Sequence, residues 1–134
     1  MTITGGCHCG MIRYLVEGAA IDHTLCHCRD CRRHAGAPMV GWTMYPATAL
    51  TLTQGKPKIY ASSENGHQQF CSDCGTGLFY TNEAVLPGLI DIQSATYDDP
   101  DLVPPRAHIQ IAERIRWMER AHELPKFERY PPQS

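Results

Sequence analysis

Cys26-His27-Cys28-Arg29-Asp30-Cys31 places three thiols within six residues of this 134-residue chain. The Cys28-x-x-Cys31 half has the spacing of a metal knuckle, in which one tight turn lets two sulfurs face the same ion. Cys26 adds a third sulfur two residues upstream. Three sulfurs leave a tetrahedral metal ion one ligand short, and a catalytic zinc ion requires such an open position. This segment therefore predicts an open metal site.

The other four cysteines form two pairs, Cys7-x-Cys9 and Cys71-x-x-Cys74. Side chains two residues apart in a strand point to the same face, so the sulfurs of Cys7 and Cys9 can face one ion. Four sulfurs complete a tetrahedron. The seven cysteines are therefore expected to divide into a closed structural site of four and an open site of three.

Other uses of the cysteines are less consistent with this pattern. An odd number of cysteines in a chain without secretory features disfavours a disulfide framework. Their clustering disfavours seven buried, unliganded thiols. An iron–sulfur cluster remains an alternative, although the bacterial C-x2-C-x2-C-x3-C run is absent. The fourth ligand of the open site is also undecided: His34, three residues after Cys31, can close it, whereas His27 is flanked by two ligands and is a weaker candidate.

The composition is that of an ordinary globular domain, with 43% hydrophobic and 19% charged residues. The formal net charge is −2, and it becomes more negative when seven thiolates bind two Zn²⁺ ions. An acidic domain is a poor partner for a phosphate backbone, so no nucleic acid is expected. The sequence shows neither a signal-peptide pattern nor an apolar run long enough to span a membrane. Free or metal-bound thiols fit a reducing compartment, which predicts a cytoplasmic location.

Short apolar segments separated by turn residues predict a mainly β domain. In the first strand, residues 11–17, alternation of Ile12, Tyr14 and Val16 with other residues predicts one buried face. Gly5-Gly6 is interpreted as a turn, and residues 18–22 as a connection. Further strands are expected at residues 39–45, 48–53, 58–62, 67–70, 78–80 and 89–92.

The remaining segments predict little helix. Arg29–Ala35 is expected to form a short helical turn that ends at Gly36. A strand is expected to about Ile111, followed by a short helix or turn over residues 114–122. Residues 1–125 are predicted to form a single zinc-binding domain, and residues 126–134 a C-terminal tail.

Three arginines of the short helix, Arg29, Arg32 and Arg33, are predicted to lie beside the three thiolates. One interpretation is a solvated basic turn. The other is that these side chains bind an acidic group of the substrate or balance the charge of the thiolates. They are therefore candidate substrate contacts.

The cysteine motifs resemble the signatures of one family, the glutathione-dependent formaldehyde-activating enzymes, which includes centromere protein V. The segments that carry the resemblance are Gly6-Cys-His-Cys-Gly10, Cys26-His-Cys-Arg-Asp-Cys-Arg-Arg33 and Phe70-Cys-Ser-Asp-Cys-Gly75. Their order and spacing match. The later His108-Ile109, Trp117 and Leu124-Pro125 are also similar to the C-terminal part of that family, so the resemblance covers nearly the whole chain.

The resemblance implies an Mss4-like (β-tent) zinc-binding fold of antiparallel sheets with little helix. It implies two Zn²⁺ ions per chain: a structural zinc on Cys7, Cys9, Cys71 and Cys74, and a catalytic zinc on Cys26, Cys28 and Cys31. The implied activity is that of a carbon–sulfur lyase resembling S-(hydroxymethyl)glutathione synthase. Its partners would be a small thiol, such as glutathione, and formaldehyde or a related small aldehyde.

Two other classes of function stay open. A thiol-based oxidoreductase, such as the B-type methionine sulfoxide reductases that share the Mss4-like fold, needs a free nucleophilic cysteine. No cysteine is free if all seven bind metal. A non-catalytic zinc module that binds a protein partner is favoured if His34 closes the second site.

Overall fold

Ten β-strands and one α-helix form the regular structure of residues 1–133, the part of the chain that a computed structural model describes. The helix, α1, spans Arg29–Ala35. No helix in this part of the chain is long and apolar enough to cross a membrane. The strands are β1 (Thr2–Gly6), β2 (Arg13–Glu17), β3 (Asp22–Cys26), β4 (Val40–Pro46), β5 (Leu50–Gln54), β6 (Lys58–Ala61), β7 (Gly66–Phe70), β8 (Gly77–Asn82), β9 (Leu89–Gln93) and β10 (Ala107–Ile109). Short 3-10 helices lie at Ala47–Ala49, Ser94–Thr96, Pro100–Leu102, Ile111–Glu113 and Arg116–Glu123.

The strands form two sheets. The smaller sheet has the order β1-β2-β5, and the larger has the order β10-β3-β4-β9-β8-β7-β6. Neighbouring strands are antiparallel except for β10, which runs parallel to β3. The 3-10 helix after β4 leads the chain from the larger sheet to β5 of the smaller one.

The main core lies between the two sheets and follows from their period-two alternation. Tyr14 and Val16 of β2 are almost fully buried, as are Phe79 of β8 and Ile92 of β9. The rings of Tyr14 and Phe79 meet edge to face with centroids 5.2 Å apart. This geometry is favourable for aromatic pairs and adds to the apolar contact between the sheets.

The opposite face of the larger sheet carries a second, smaller apolar cluster. Its buried members are Cys26, Val40 and Trp42, and parts of α1 pack against them. Helix α1 begins after Cys28, which is its N-cap, and ends at Gly36. Gly36 has a φ of 62°, a left-handed conformation that glycine adopts without steric cost. Both predicted ends of this helix are therefore confirmed.

The mainly β architecture and the buried face of the first strand are confirmed, whereas three local predictions are wrong. Gly5-Gly6 is not a turn, because both residues belong to β1 and pair with β2. The segment after Gly18 is not only a connection, since Asp22 begins strand β3. The strand near the C-terminus ends at Ile109 rather than Ile111, because Gln110 has a φ of 57° and turns the chain.

A polar junction ties the smaller sheet to the chain that follows β9. The hydroxyl of Thr4 donates a hydrogen bond to Asp98 Oδ2 at 2.6 Å, and Arg13 Nη1 donates to Asp98 Oδ1 at 2.9 Å. The Arg13 guanidinium and the Thr4 hydroxyl lower the pKa of Asp98 to about 2. The folded chain thus favours the carboxylate, and at neutral pH the stabilisation is fully present.

We expect Asp98→Asn to lower the free energy of unfolding by about 1 kcal/mol or less, because the ion pair is well exposed and solvent screens it. Chemical denaturation at pH 7 measures this difference. It should shrink in about 1 M salt, where screening is stronger. Asp101→Asn removes a nearby exposed carboxylate and should leave stability unchanged. An equal loss in both variants would contradict a specific role for the junction.

Candidate metal centres and substrate cavity

Four cysteine sulfurs meet where the two sheets join. The sulfurs of Cys7, Cys9, Cys71 and Cys74 all lie within 4.8 Å of one another. Cys9 Sγ is 3.7 Å from Cys7 Sγ and 3.8 Å from Cys71 Sγ. A tetrahedron of sulfurs at about 2.3 Å from a central ion has edges of roughly 3.8 Å. The spacing therefore fits a single metal ion with a complete set of protein ligands.

The backbone around this cluster positions and polarises the sulfurs. Gly75 has a φ of 81° and donates its N–H to the carbonyl of Cys71 at 2.8 Å, which closes the turn that carries Cys71 and Cys74. The N–H of Ile12 donates to Cys7 Sγ at 3.2 Å. The hydroxyl of Thr76 lies 3.2 Å from Cys74 Sγ and lowers the pKa of that thiol to about 5. Hydrogen bonds to the thiolate form favour metal binding, because metals bind the thiolate.

The other three sulfurs form a second cluster on the outer face of the larger sheet. Cys26 ends β3, Cys28 caps α1 and Cys31 lies in its first turn, and the three sulfurs lie within 4.8 Å of one another. Cys28 Sγ accepts a hydrogen bond from the N–H of Cys31 at 3.3 Å, and Trp42 Nε1 donates to Cys31 Sγ at 3.3 Å. A hydrogen bond from the Cys31 thiol lowers the pKa of Cys26 to about 6.

Neither candidate histidine joins this cluster within the part of the chain that the structure describes. His27 is fully buried, and its Nε2 lies 2.8 Å from Nδ1 of His108. The backbone N–H of His27 donates to Ile109, so strand β10 fixes the segment between Cys26 and Cys28. The ring of His34 instead packs edge-on against Phe70, with centroids 6.0 Å apart. The three-sulfur cluster can therefore hold a metal ion with one position left for a ligand.

A cavity of about 360 Å³ opens beside the three sulfurs. Its volume lies within the range of about 300–1,000 Å³ that is typical of small-molecule sites. Side chains from the outer face of the larger sheet form its floor, and α1 and the chain after β10 contribute to its walls. Its lining consists of Asp22, Thr24, Cys26, Cys28, Asp30, Cys31, Trp42, Met44, Ser62, Ser63, Gln68, Tyr80, Leu86, Asp91, Ile109 and Gln110.

The arginines predicted to contact the substrate lie outside this lining. Arg32 donates from Nε to the carbonyl of His27 at 3.2 Å, and Arg29 is exposed. Arg33 is also exposed and lies in a separate shallow depression with Arg32 and Trp117. Their role as substrate contacts stays a prediction, and it does not extend to the groups of a substrate that lie inside the cavity.

Sequence reasoning missed the polar side chains on the floor of the cavity. The clearest is Asp91 of β9, whose pKa is raised to about 7, chiefly by burial and further by Cys26 and Asp22. The sequence does contain a signal for Asp91, because this charged residue stands between Ile90 and Ile92 and interrupts an apolar strand. Gln68 and Tyr80 carry no such signal, since their importance depends on strand pairing.

Comparisons with known proteins identify the family of this chain. The sequence profile of the glutathione-dependent formaldehyde-activating enzymes matches residues 2–113. A Halomonas elongata protein named "Putative glutathione-dependent formaldehyde-activating enzyme" is 24% identical over 127 residues, which cover 89% of this chain and 81% of that protein. An uncharacterized lyase of Schizosaccharomyces pombe is 33% identical over 84 residues, covering 58% of each chain. A crystal structure of a Rhodobacter sphaeroides protein superposes with a TM-score of 0.63 at 22% identity, covering 78% of this chain and 98% of that one.

Fold and site together define a mainly β protein with an Mss4-like fold, two cysteine clusters suited to metal ions, and a cavity beside one of them. The chain belongs to the glutathione-dependent formaldehyde-activating enzyme family, because the family profile covers most of its length. The resemblance drawn from the three cysteine motifs is thereby confirmed.

We expect Cys71→Ser to yield unfolded or insoluble protein. This cluster joins the end of β1 to the turn between β7 and β8, so its loss separates the two sheets. A structural zinc ion contributes about 10–16 kcal/mol in finger peptides, against a total stability of about 5–15 kcal/mol for a typical domain. Soluble yield and thermal melting measure the effect. A soluble variant that melts like the wild type would contradict the structural role of the cluster.

We expect Cys28→Ala to remain folded and to contain one metal ion fewer per chain. The three sulfurs come from one local segment, so their loss disturbs α1 and its surroundings more than either sheet. Metal content by mass spectrometry and melting by circular dichroism test this expectation. Unfolding as severe as that of Cys71→Ser would show that the two clusters do not differ in structural importance.

Proposed function

We propose that this chain is a zinc-dependent carbon–sulfur lyase-type enzyme, similar to S-(hydroxymethyl)glutathione synthase. It would add a thiol such as glutathione to formaldehyde or a related small aldehyde. The observation that carries the proposal is the three-sulfur cluster of Cys26, Cys28 and Cys31, which has no fourth protein ligand among residues 1–133 and opens on a cavity. The names of the relatives support the reaction class.

The donor sets favour zinc. All seven donors are cysteine sulfurs, and thiolates with tetrahedral spacing select zinc over the hard cations calcium and magnesium. We assign a structural zinc to the four-sulfur cluster and a catalytic zinc to the three-sulfur cluster. Metal-bound thiolates are compatible with a reducing compartment, which supports a cytoplasmic location.

The reaction forms one carbon–sulfur bond and moves the thiol proton to the former carbonyl oxygen, so no oxidant or reductant is required. A zinc ion with three protein ligands supplies a Lewis-acidic position for the incoming sulfur or the carbonyl oxygen. The residues of the chain prepare that position. Trp42 donates to Cys31 and the Cys31 N–H donates to Cys28, and both contacts hold the sulfurs in place. Trp42, Met44 and Ile109 make part of the cavity lining apolar.

Two observations weigh against the other functions. An oxidoreductase of the expected type needs a free nucleophilic cysteine, but all seven cysteines belong to one of the two clusters. A non-catalytic module would be favoured by a closed second site, but His34 packs against Phe70 instead. The position of His34 supports an open position that a substrate can occupy.

We expect glutathione to bind at the three-sulfur site of the Co²⁺-substituted protein. Sulfur-to-metal charge-transfer absorption should increase with glutathione and should not increase with S-methylglutathione, which lacks the thiol. Cys28→Ala is the matched control and should lose the response while retaining cobalt in the four-sulfur cluster. The proposal is wrong if no thiol changes the spectrum, or if His34→Ala is needed before a thiol can bind.

A further inference from the structure

The floor of the cavity is a single transverse row across five strands. Gln68 of β7 pairs with Tyr80 of β8, Tyr80 with Asp91 of β9, Asp91 with Met44 of β4, and Met44 with Asp22 of β3. Residues paired in register on adjacent strands share one face of a sheet. All five line the cavity. The row is therefore a continuous surface along one side of the cavity.

Asp91 is the carboxylate of this row that lacks a counter-ion. Asp22 is already paired with Arg106, whose Nη2 donates to Asp22 Oδ2 at 2.8 Å. Asp91, in contrast, has no hydrogen-bond partner among residues 1–133, and burial raises its pKa. A half-buried carboxyl group without a partner is stabilised by any ligand that brings a positive charge and N–H donors.

Gln68 supplies a second, independent sign of a missing ligand. It is only 3% exposed, and its side-chain Oε1 has no hydrogen-bond partner within the described residues. Leaving a buried acceptor unsatisfied is costly, so such groups usually have a partner in the functional state. Gln68 and Asp91 each pair with Tyr80 from opposite sides, so both residues border the same part of the cavity. Gln68 Oε1 itself is covered in this conformation, and rotation of the side-chain amide would turn it toward a ligand there.

The charge of the cavity lining indicates the sign of the ligand's charge. Its lining contains the carboxyl groups of Asp22, Asp30 and Asp91, and no lysine, arginine or histidine of the described chain belongs to it. The three cysteine thiolates add negative charge that a single divalent ion does not fully neutralise. A carboxylate on the substrate would therefore be repelled from the floor, whereas a cation would be attracted.

We propose that the thiol substrate carries a cationic ammonium group, which binds on the cavity floor between Asp91 and Gln68 while the sulfur faces the three cysteines. This inference rests on the proposed function, because it assumes that a thiol occupies the open site. An ammonium group offers three N–H donors and one positive charge, which matches one carboxylate and one amide oxygen. Glutathione has such an amino group, but one of its carboxylates is on the same carbon, so this floor should favour thiols whose ammonium group has no adjacent carboxylate.

The test compares ω-aminoalkanethiols with ω-hydroxyalkanethiols of the same length in the Co²⁺-substituted protein. Asp91 lies two strands across from β3, which is about 10 Å, and its row crosses β3 at Asp22, about 13 Å along the strand from Cys26. The series should therefore cover roughly two to ten methylene groups. Charge-transfer absorption gives the affinity of each thiol. At the best chain length we expect the ammonium compound to bind about tenfold more tightly or better, as is typical of a charge-assisted hydrogen bond.

Asp91→Asn should abolish most of this preference, because it should weaken the binding of the ammonium compounds far more than that of the hydroxyl compounds. Glu17→Gln removes an equal charge from the exposed end of β2 on the other sheet and should retain the preference. Gln68→Met keeps the approximate volume and should reduce the preference several-fold. Circular dichroism confirms that each variant is folded.

Each outcome separates this inference from the proposed function. Equal binding of both thiol series, or a preference that survives Asp91→Asn, overturns the inference and leaves thiol binding at the open site intact. Failure of every thiol to change the spectrum overturns the proposed function itself and the inference with it. A preference that Glu17→Gln also abolishes would show that net charge, rather than the cavity floor, attracts the cation.

Discussion

The four sulfurs at the junction of the two sheets are the constraint on which the rest of the structure depends. Cys9 and Cys71 are 62 residues apart in sequence, yet their sulfurs are 3.8 Å apart. Four thiolates at this spacing repel one another unless a cation holds them, so metal binding and the joining of the sheets are coupled. The smaller sheet has only three strands and gains its stability by packing against the larger one. Fixing this corner sets the orientation in which Tyr14 and Val16 reach the main core.

The second cluster also consists of cysteine sulfurs, but it leaves a ligand position open, whereas the first cluster closes it. Its three sulfurs come from one local segment, and that segment is held by hydrogen bonds from outside it: β10 pairs with β3, and Trp42 donates to Cys31. The segment is thus kept in place without a fourth protein ligand. Four sulfurs lie at the junction of the sheets and three lie beside the cavity. A ligand can therefore be exchanged at the three-sulfur cluster without loosening the four-sulfur cluster.

The sequence predicts the local structure and the grouping of the cysteines, and it fails where pairing between distant strands decides. The division of the seven cysteines followed from their spacing and from tetrahedral valence. The buried face of β2 followed from alternation. Strand β3 was missed because Asp22, His23 and Thr24 are polar. It forms because β4 and β10 supply partners on both sides. For the same reason the sequence does not predict the row from Gln68 to Asp22. Its members come from five strands, and only the register of those strands aligns them.

The chemistry proposed for the site explains why this row matters more than the metal alone. Thiols add to formaldehyde readily without help, so a Lewis acid has only a small barrier to lower. The uncatalysed reaction in water does not discriminate among thiols. The three-sulfur cluster discriminates little among them, because any small thiolate can offer sulfur to zinc. Discrimination must therefore come from groups that contact the rest of the substrate. On the floor of this cavity we propose Asp91 and Gln68 for this role, because they are the polar side chains there without a partner of their own among residues 1–133, and the proposal assigns the choice of thiol to β7 and β9 rather than to the cysteine motifs.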